Sequence, residues 1–242
     1  MDAIVINELT KKYKDITAVD GLSLSIKDGE LFSLLGVNGA GKTTTIKMLC
    51  CLTEPTSGEA FLLGKSIALD PYAVKEVIAV SPQETAIAPG LSARENLELI
   101  CGIYGFDKDK RNAKINELTE LISLGDILDR KSGKLSGGWQ RRLSIAMALI
   151  SEPKILFLDE PTLGLDVIAR SELWDIISSL KGRVTIVLTT HYMEEAETLS
   201  DRIAIMKDGK LLICDTPDEI KATTGEDSIE KAFIKIVRGT AK

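Results

Sequence analysis

The chain is 242 residues long, 44% apolar and 27% charged, with a formal net charge of −6. That is enough chain for one large domain or two small ones around a sizeable core, in the ordinary composition of a globular protein. The dispersed Lys and Arg residues exclude the basic face that nucleic-acid binding needs, and no apolar run reaches the ~18 residues of a membrane span.

In chain order, the opening stretch MDAIVINELTKKYKD carries charges where a signal peptide would be apolar, so a cytoplasmic protein is expected. Ile4-Val5-Ile6 and Leu22-Ser23-Leu24-Ser25-Ile26 read as antiparallel strands, and Lys27-Asp28-Gly29 ahead of Leu31 reads as an Asp-Gly hairpin. Residues 30–35 (ELFSLL) predict a short apolar strand and residues 44–52 a helix. Residues 77–80, 155–158 and 184–188 predict strands buried on both faces. Over about residues 84–134 the texture turns helical, with Leu97, Ile100 and Cys101, then Ile115, Leu118, Leu121 and Ile122. This block reads as a helical insertion. Residues 203–206, Asp208-Gly209 and residues 211–213 make a second hairpin. Residues 228–237 place Ile229, Phe233, Ile236 and Val237 on one helical face. Cys50, Cys51, Cys101 and Cys214 lack C-x-x-C spacing and a nearby His cluster, and read as buried reduced thiols rather than metal or redox groups.

Between the strand at 30–35 and the helix at 44–52 stands Gly36-Val37-Asn38-Gly39-Ala40-Gly41-Lys42-Thr43-Thr44, an ungapped G-x-x-x-x-G-K-[ST] phosphate loop. Its glycines let successive N–H groups turn inward on a polyphosphate, and the following helix adds the positive end of its dipole. Lys42 brings a charge to the β- and γ-phosphates, and the Thr43 hydroxyl suits Mg²⁺. Ile155-Leu156-Phe157-Leu158-Asp159-Glu160 is an apolar strand ending in two acids. It would deliver Asp159 beside the loop to hold Mg²⁺ through water, with Glu160 placed as a general base. The expected fold is α/β: a P-loop NTPase core with a mixed sheet, an N-terminal antiparallel β subdomain and a helical insertion subdomain. Residues 1–242 would form one domain, with the helical subdomain at about 84–134 and a short C-terminal tail at about 216–242.

A third constellation, Leu135-Ser136-Gly137-Gly138-Trp139-Gln140-Arg141-Arg142, resembles the L-S-G-G-x signature of ATP-binding-cassette (ABC) transporter ATPases. Motif order agrees: Gln83 in VSPQE, the signature, ILFLDE, Leu163-Gly164-Leu165-Asp166, then His191, the one histidine. The resemblance spans about residues 3–215. It implies that Tyr13 stacks on adenine, that Gln83 reaches Mg²⁺ and the attacking water, that His191 contacts the γ-phosphate, and that Asp166 signals to a partner subunit. It also implies head-to-tail pairing with a second cassette, identical or different, in which Ser136, Gly137 and Gly138 cover the γ-phosphate held by the other subunit. The residues alone leave Tyr13 open as a core-edge side chain and Gln83 as a surface one.

Two departures bear on the branch. Trp139 stands where many members carry Gln, and L-G-L-D replaces S-A-L-D. Both are similar to the drug, antibiotic and sodium exporter branch, as is the tail pattern from Thr224-Gly225 to Phe233. That branch implies an ATPase subunit powering an integral membrane permease on a separate chain, peripheral at the inner face of the cell membrane. A soluble cassette of a scaffold-assembly system and an importer subunit remain alternatives.

Overall fold

The structure is a computed structural model and describes residues 1–239. The chain opens with two long strands, β1 (Asp2–Tyr13) and β2 (Ile16–Lys27), followed by β3 (Leu31–Leu35) and helix α1 (Lys42–Leu49). Next come β4 (Ser57–Leu62), β5 (Lys65–Ser66), α2 (Pro71–Lys75), β6 (Ile78–Ser81), α3 (Ala93–Ile103), α4 (Lys108–Leu121) and α5 (Gly137–Leu149). The remainder runs β7 (Ile155–Asp159), α6 (Val167–Ser179), β8 (Thr185–Thr190), α7 (Met193–Leu199), β9 (Arg202–Lys207), β10 (Lys210–Asp215), α8 (Pro217–Thr224) and α9 (Ile229–Gly239). The tail expected over 216–242 is thus two helices, and its residues 240–242 lie outside the described residues.

Two sheets form. A four-stranded antiparallel sheet has the order β2-β1-β4-β5, and a six-stranded mixed sheet has the order β10-β9-β3-β8-β7-β6. In the larger sheet only β9 and β10 are antiparallel. Its central strands β3, β7 and β8 are buried throughout because both faces are covered. Phe32, Leu34, Phe157 and Val187 face one layer, with Ile46, Met48 and the antiparallel strands. Their neighbours Leu31, Leu156, Leu158, Ile186 and Leu188 face the other, with α3, α5 and α6. This is the period-two alternation of a pleated strand.

The Asp-Gly reading is corrected. Asp28-Gly29 does not close a hairpin: β2 pairs with β1, and β3 pairs in parallel with β8 and β9. The turn carries the chain from one sheet to the other, anchored by the Gly29 N–H donating to Thr185 Oγ1 at 3.0 Å. All five residues of β3 are buried, so it is stable only between two neighbours; the alternating strand β2 belongs on the outer sheet. The hairpin turn is at Lys14-Asp15, with Lys14 at φ +49°.

The block at about 84–134 does not open directly on a helix. Residues 84–92 form a loop containing Pro89-Gly90, and α3 opens at a capping box in which Ser92 and Glu95 satisfy each other's backbone N–H groups. Leu97, Cys101, Ile115, Leu118 and Ile122 are buried against one another and α5. Asn96 fastens the loop by donating to Ala88 O, Ser92 O and Ser132 Oγ and accepting from the Ala88 N–H. On α9, Ile229, Ala232 and Phe233 are buried with Leu35, Ile203, Ile205 and Ile220. The four thiols are free; Cys50 and Cys101 are buried, Cys51 and Cys214 partly so, and burial pushes each thiol up. Among the described residues, no helix is long and apolar enough to cross a membrane.

Candidate active site

Strand register builds the site. Leu35, the last residue of β3, is level with Thr190 of β8, and Asp159 of β7 is level with Thr189. The segments that follow these three adjacent strands therefore emerge together at one sheet edge. They are the loop from Gly36, Glu160, and His191. A crevice at the carboxyl edge of such a sheet is where α/β folds bind ligands.

Two of the loop's glycines are needed sterically. A Cβ on Gly36 would lie 2.6 Å from Met206 O, and one on Gly41, at φ +102°, would lie 2.5 Å from Ala18 O. Helix α1 begins at Lys42, so its unpaired N–H groups and positive dipole end face the loop. Lys42 Nζ donates to the Gly36 carbonyl at 2.7 Å and lies 3.4 Å from Glu160 Oε1. Thr43 Oγ1 donates to Asp159 Oδ1 at 3.3 Å, and the Thr189 hydroxyl donates to the same oxygen. A hydroxyl and a carboxylate at the phosphate end of the loop, with Gln83 on the same wall, are the hard oxygen donors that suit Mg²⁺.

Glu160 is held in the left-handed region, at φ +49°, by its N–H donating to Thr189 O at 3.1 Å. This conformation costs roughly 1–2 kcal/mol outside glycine. It turns the carboxylate back toward the loop: Oε2 lies 2.7 Å from His191 Nδ1. The His191 ring stacks on Tyr192, with centroids 4.2 Å apart, and the Arg170 guanidinium covers the other ring at 4.7 Å. Beside these groups Glu195 is fully buried, accepting from Thr162 Oγ1 at 2.8 Å and Trp174 Nε1 at 3.1 Å. Burial pushes its carboxyl above the ordinary range.

A cleft of about 620 Å³ runs along residues 38–44 and is also lined by Gln83, Glu160 and His191. Its remaining walls were missed from the sequence. Ile16, Thr17 and Ala18 come from the β1–β2 hairpin, Leu163 from the loop after Glu160, and Asp208 from the β9–β10 turn. Among them Ile16 is an apolar residue left 69% exposed at the hairpin. Asp208-Gly209 was legible only as a turn; the Gly209 N–H donates to Ala40 O, a contact across the fold. Tyr13 is exposed on that hairpin as the pairing partner of Ile16, outside the cleft lining, with Lys11 Nζ 5.0 Å from its ring centre.

Ser136, Gly137 and Gly138 do not line the cleft either. Ser136 is the exposed N-cap of α5, and its hydroxyl makes no capping bond to the helix. Hydroxyl and helix N-terminus are thus exposed together, away from the cleft. Asp166 caps α6, its Oδ1 accepting the Ala169 N–H at 2.9 Å. Beside it Val167 and Ile168 are 78% and 73% exposed. Trp139 is a wall for Arg142, whose guanidinium lies 4.6 Å from the ring centre and pairs with Glu172.

A family profile described as "ABC transporter" matches residues 19–163. The chain is 40% identical over 237 residues to the probable multidrug ABC transporter ATP-binding protein YbhF of Escherichia coli (strain K12), an alignment covering 95% of this chain and 41% of that protein. It thus spans about two fifths of that relative's length. It is 41% identical over 229 residues to the daunorubicin resistance ATP-binding protein DrrA3 of Streptomyces coeruleorubidus, covering 94% of this chain and 72% of that one. Among solved structures, the dimeric post-hydrolysis state of the ATP-binding cassette MJ0796 bound to ADP and Pi aligns with a TM-score of 0.78 at 29% identity, over 88% of this chain and 98% of that one.

Proposed function

The chain belongs to the ABC transporter family as one of its ATPase cassettes, and we propose that it hydrolyses ATP between two head-to-tail cassettes to drive export through a permease on a separate chain. One observation supports this reading: the phosphate loop and the uncapped, exposed N-terminus of α5 lie apart within the one chain. The cleft holds the phosphate loop, Asp159, Glu160 and His191, while the Ser136 hydroxyl and the α5 N-terminus face outward elsewhere. A second cassette placed head to tail uses both. The solved relative bound to ADP and Pi is dimeric, which supports the pairing.

Within the cleft the loop N–H groups and Lys42 bind the β- and γ-phosphates. Thr43, Asp159 and Gln83 are the residues that would hold Mg²⁺, which neutralises charge on the β- and γ-oxygens. Glu160 accepts a proton from the attacking water at its carboxylate, and His191, hydrogen-bonded to Oε2, fixes that carboxylate and faces the γ-phosphate. Tyr13 offers a stacking face for the base from the hairpin that also supplies Ile16. ATP favours the closed pair and hydrolysis the open one, a population shift set by differential affinity. Asp166 lies at the exposed face that meets the partner.

The permease contact is proposed beside Gln83. Ala79, Val80, Pro82, Ala86, Ile100, Ile103 and Tyr104 line a groove of about 280 Å³ between the core and the helical block, and Ile103 is 72% exposed. An apolar groove of this kind suits a short cytoplasmic helix. The protein would then sit peripherally at the inner face of the cell membrane. Ala86→Cys on a cysteine-free background tests this by crosslinking in membranes, with the captured partner identified. A polytopic membrane protein is expected. Capture of soluble scaffold proteins alone, with no membrane association of the wild-type chain, would reject the exporter reading in favour of a soluble cassette.

A further inference from the structure

The loop after β6 bears Gln83, and it lacks a backbone ladder to hold it. Residues 82–91 contain neither helix nor strand. The carbonyls at its start find their partners on α5. Arg141 Nη1 donates to Pro82 O at 2.5 Å and Nη2 to Gln83 O at 2.7 Å. One turn further along the same helix face, Ser144 Oγ lies 2.9 Å from Ser81 Oγ. Three successive residues, Ser81, Pro82 and Gln83, are therefore tied to one face of α5.

The tie is a demanding one. Arg141 is only 5% exposed, and burial disfavours its charge, while Asp159 and Glu195 act in the opposite sense. A guanidinium is suited to this place because its planar fork holds two N–H donors in a fixed, side-by-side geometry that matches the two carbonyls, whereas an ammonium on its flexible stem fixes no such geometry. A buried Arg whose hydrogen bonds go to a catalytic-loop backbone, rather than to a structural carboxylate, is placed to hold that loop.

We infer that Arg141 is a positioning residue that sets the Gln83 side chain in the cleft and joins it rigidly to the helix whose N-terminus carries Ser136. The second half of this statement rests on the head-to-tail reading above. Under that reading α5 reaches the nucleotide of the partner cassette through Ser136 and holds its own Gln83 through Arg141. A displacement of α5 at one nucleotide then moves Gln83 at the other, and the two sites communicate through little more than one helical turn.

A double-mutant cycle on the full chain tests it, with phosphate release giving kcat and KM and a fluorescent ATP analogue giving the affinity of the monomer. Arg141→Met is expected to lower kcat about 10- to 100-fold, the loss typical of a catalytic group displaced by about an ångström, with monomer affinity within about threefold of wild type. Arg141→Lys, which can keep one of the two bonds, is expected to fall between them at wild-type melting temperature; it also serves if the Met variant folds poorly. Combining Arg141→Met with Gln83→Ala should be no slower than Gln83→Ala alone, because one acts through the other. Losses that multiply, or an Arg141→Lys variant with wild-type kcat, would overturn the inference while leaving the proposed function intact. A Gln83→Ala variant with unchanged kcat would instead refute the role given to Gln83 and the inference with it.

Discussion

Oε2 of Glu160 lies 2.7 Å from Nδ1 of His191, and Oε1 of the same carboxylate lies 3.4 Å from Nζ of Lys42. The three residues follow three different strands, and the left-handed conformation of Glu160 aims its carboxylate between the other two. Glu160→Gln keeps the shape and removes the proton acceptor. Turnover should fall by roughly 10²–10⁴-fold while ATP still binds. With the negative charge gone from beside the phosphates, the closed pair should persist, and size-exclusion chromatography with ATP should show a dimer. A monomer with full turnover would sink both the base assignment and the pairing.

Lys42→Ala and Ser136→Arg should fail differently. The first removes a charge from the chain's own phosphate cleft and should weaken ATP binding to the monomer. The second alters an exposed residue outside that cleft, so monomer binding should survive while dimerisation and hydrolysis are lost. A mixture of the two variants contains heterodimers with one intact composite site, in which an unaltered Lys42 faces an unaltered Ser136. Some activity should return on mixing. Loss of nucleotide binding in isolated Ser136→Arg monomers would count against the head-to-tail arrangement.

Two loop glycines should respond unequally to alanine. A Cβ at Gly41 meets Ala18 O at 2.5 Å and must adopt φ +102°, whereas one at Gly39, at φ +85°, meets nothing within 4 Å. Gly41→Ala therefore combines overpacking of about 1–3 kcal/mol with backbone strain of about 1–2 kcal/mol, and pushes away the hairpin that walls the cleft. Gly39→Ala carries only the strain. Urea unfolding of both variants should show the larger loss for Gly41→Ala, accompanied by weaker ATP binding. Equal losses would mean that the Ala18 contact does not matter.

Glu195 gives a pH dependence of definite sign. Burial raises its carboxyl above the ordinary value of 4.5, against hydrogen bonds from Thr162 and Trp174, and the Glu160 charge adds to the rise. Well below pH 4.5 folded and unfolded chains both keep the proton, and there is no penalty. As pH rises, the unfolded chain ionises first, so the folded state is progressively disfavoured until its own carboxyl ionises. Glu195→Gln keeps an acceptor for Thr162 and Trp174 and removes this effect. Its melting temperature relative to wild type should climb with pH above 4.5; a difference that stays flat across the range would show that Glu195 ionises normally.

The chemistry was legible where it depends on neighbours in the chain. The residues from Gly36 to Thr44 form a phosphate loop because their spacing sets the backbone path, and Asp159-Glu160 end a strand because the four residues before them are apolar. The same holds for Ser136-Gly137-Gly138 at the start of α5, and for the strands and helices with strong periodicity. Local signals failed where a turn residue has more than one use. Asp28-Gly29 joins two sheets rather than two paired strands, and Pro89-Gly90 lies in a loop that precedes the helix whose apolar spacing starts at Leu97.

Tertiary structure decided everything that depends on register and on which layer a strand joins. Amino-acid order alone does not state that Leu35 is level with Thr190, or Asp159 with Thr189. Those pairings are settled by backbone ladders and by burial on both faces of the central strands, and they bring Lys42, Glu160 and His191 within contact. The walls at Ile16 and Asp208, the exposed position of Tyr13 outside the cleft lining, and the grip of Arg141 on Gln83 follow from the same long-range packing. The physical reason is that hydrogen-bond register and side-chain burial are satisfied across distant parts of the chain, whereas periodicity and motif spacing report only the local backbone.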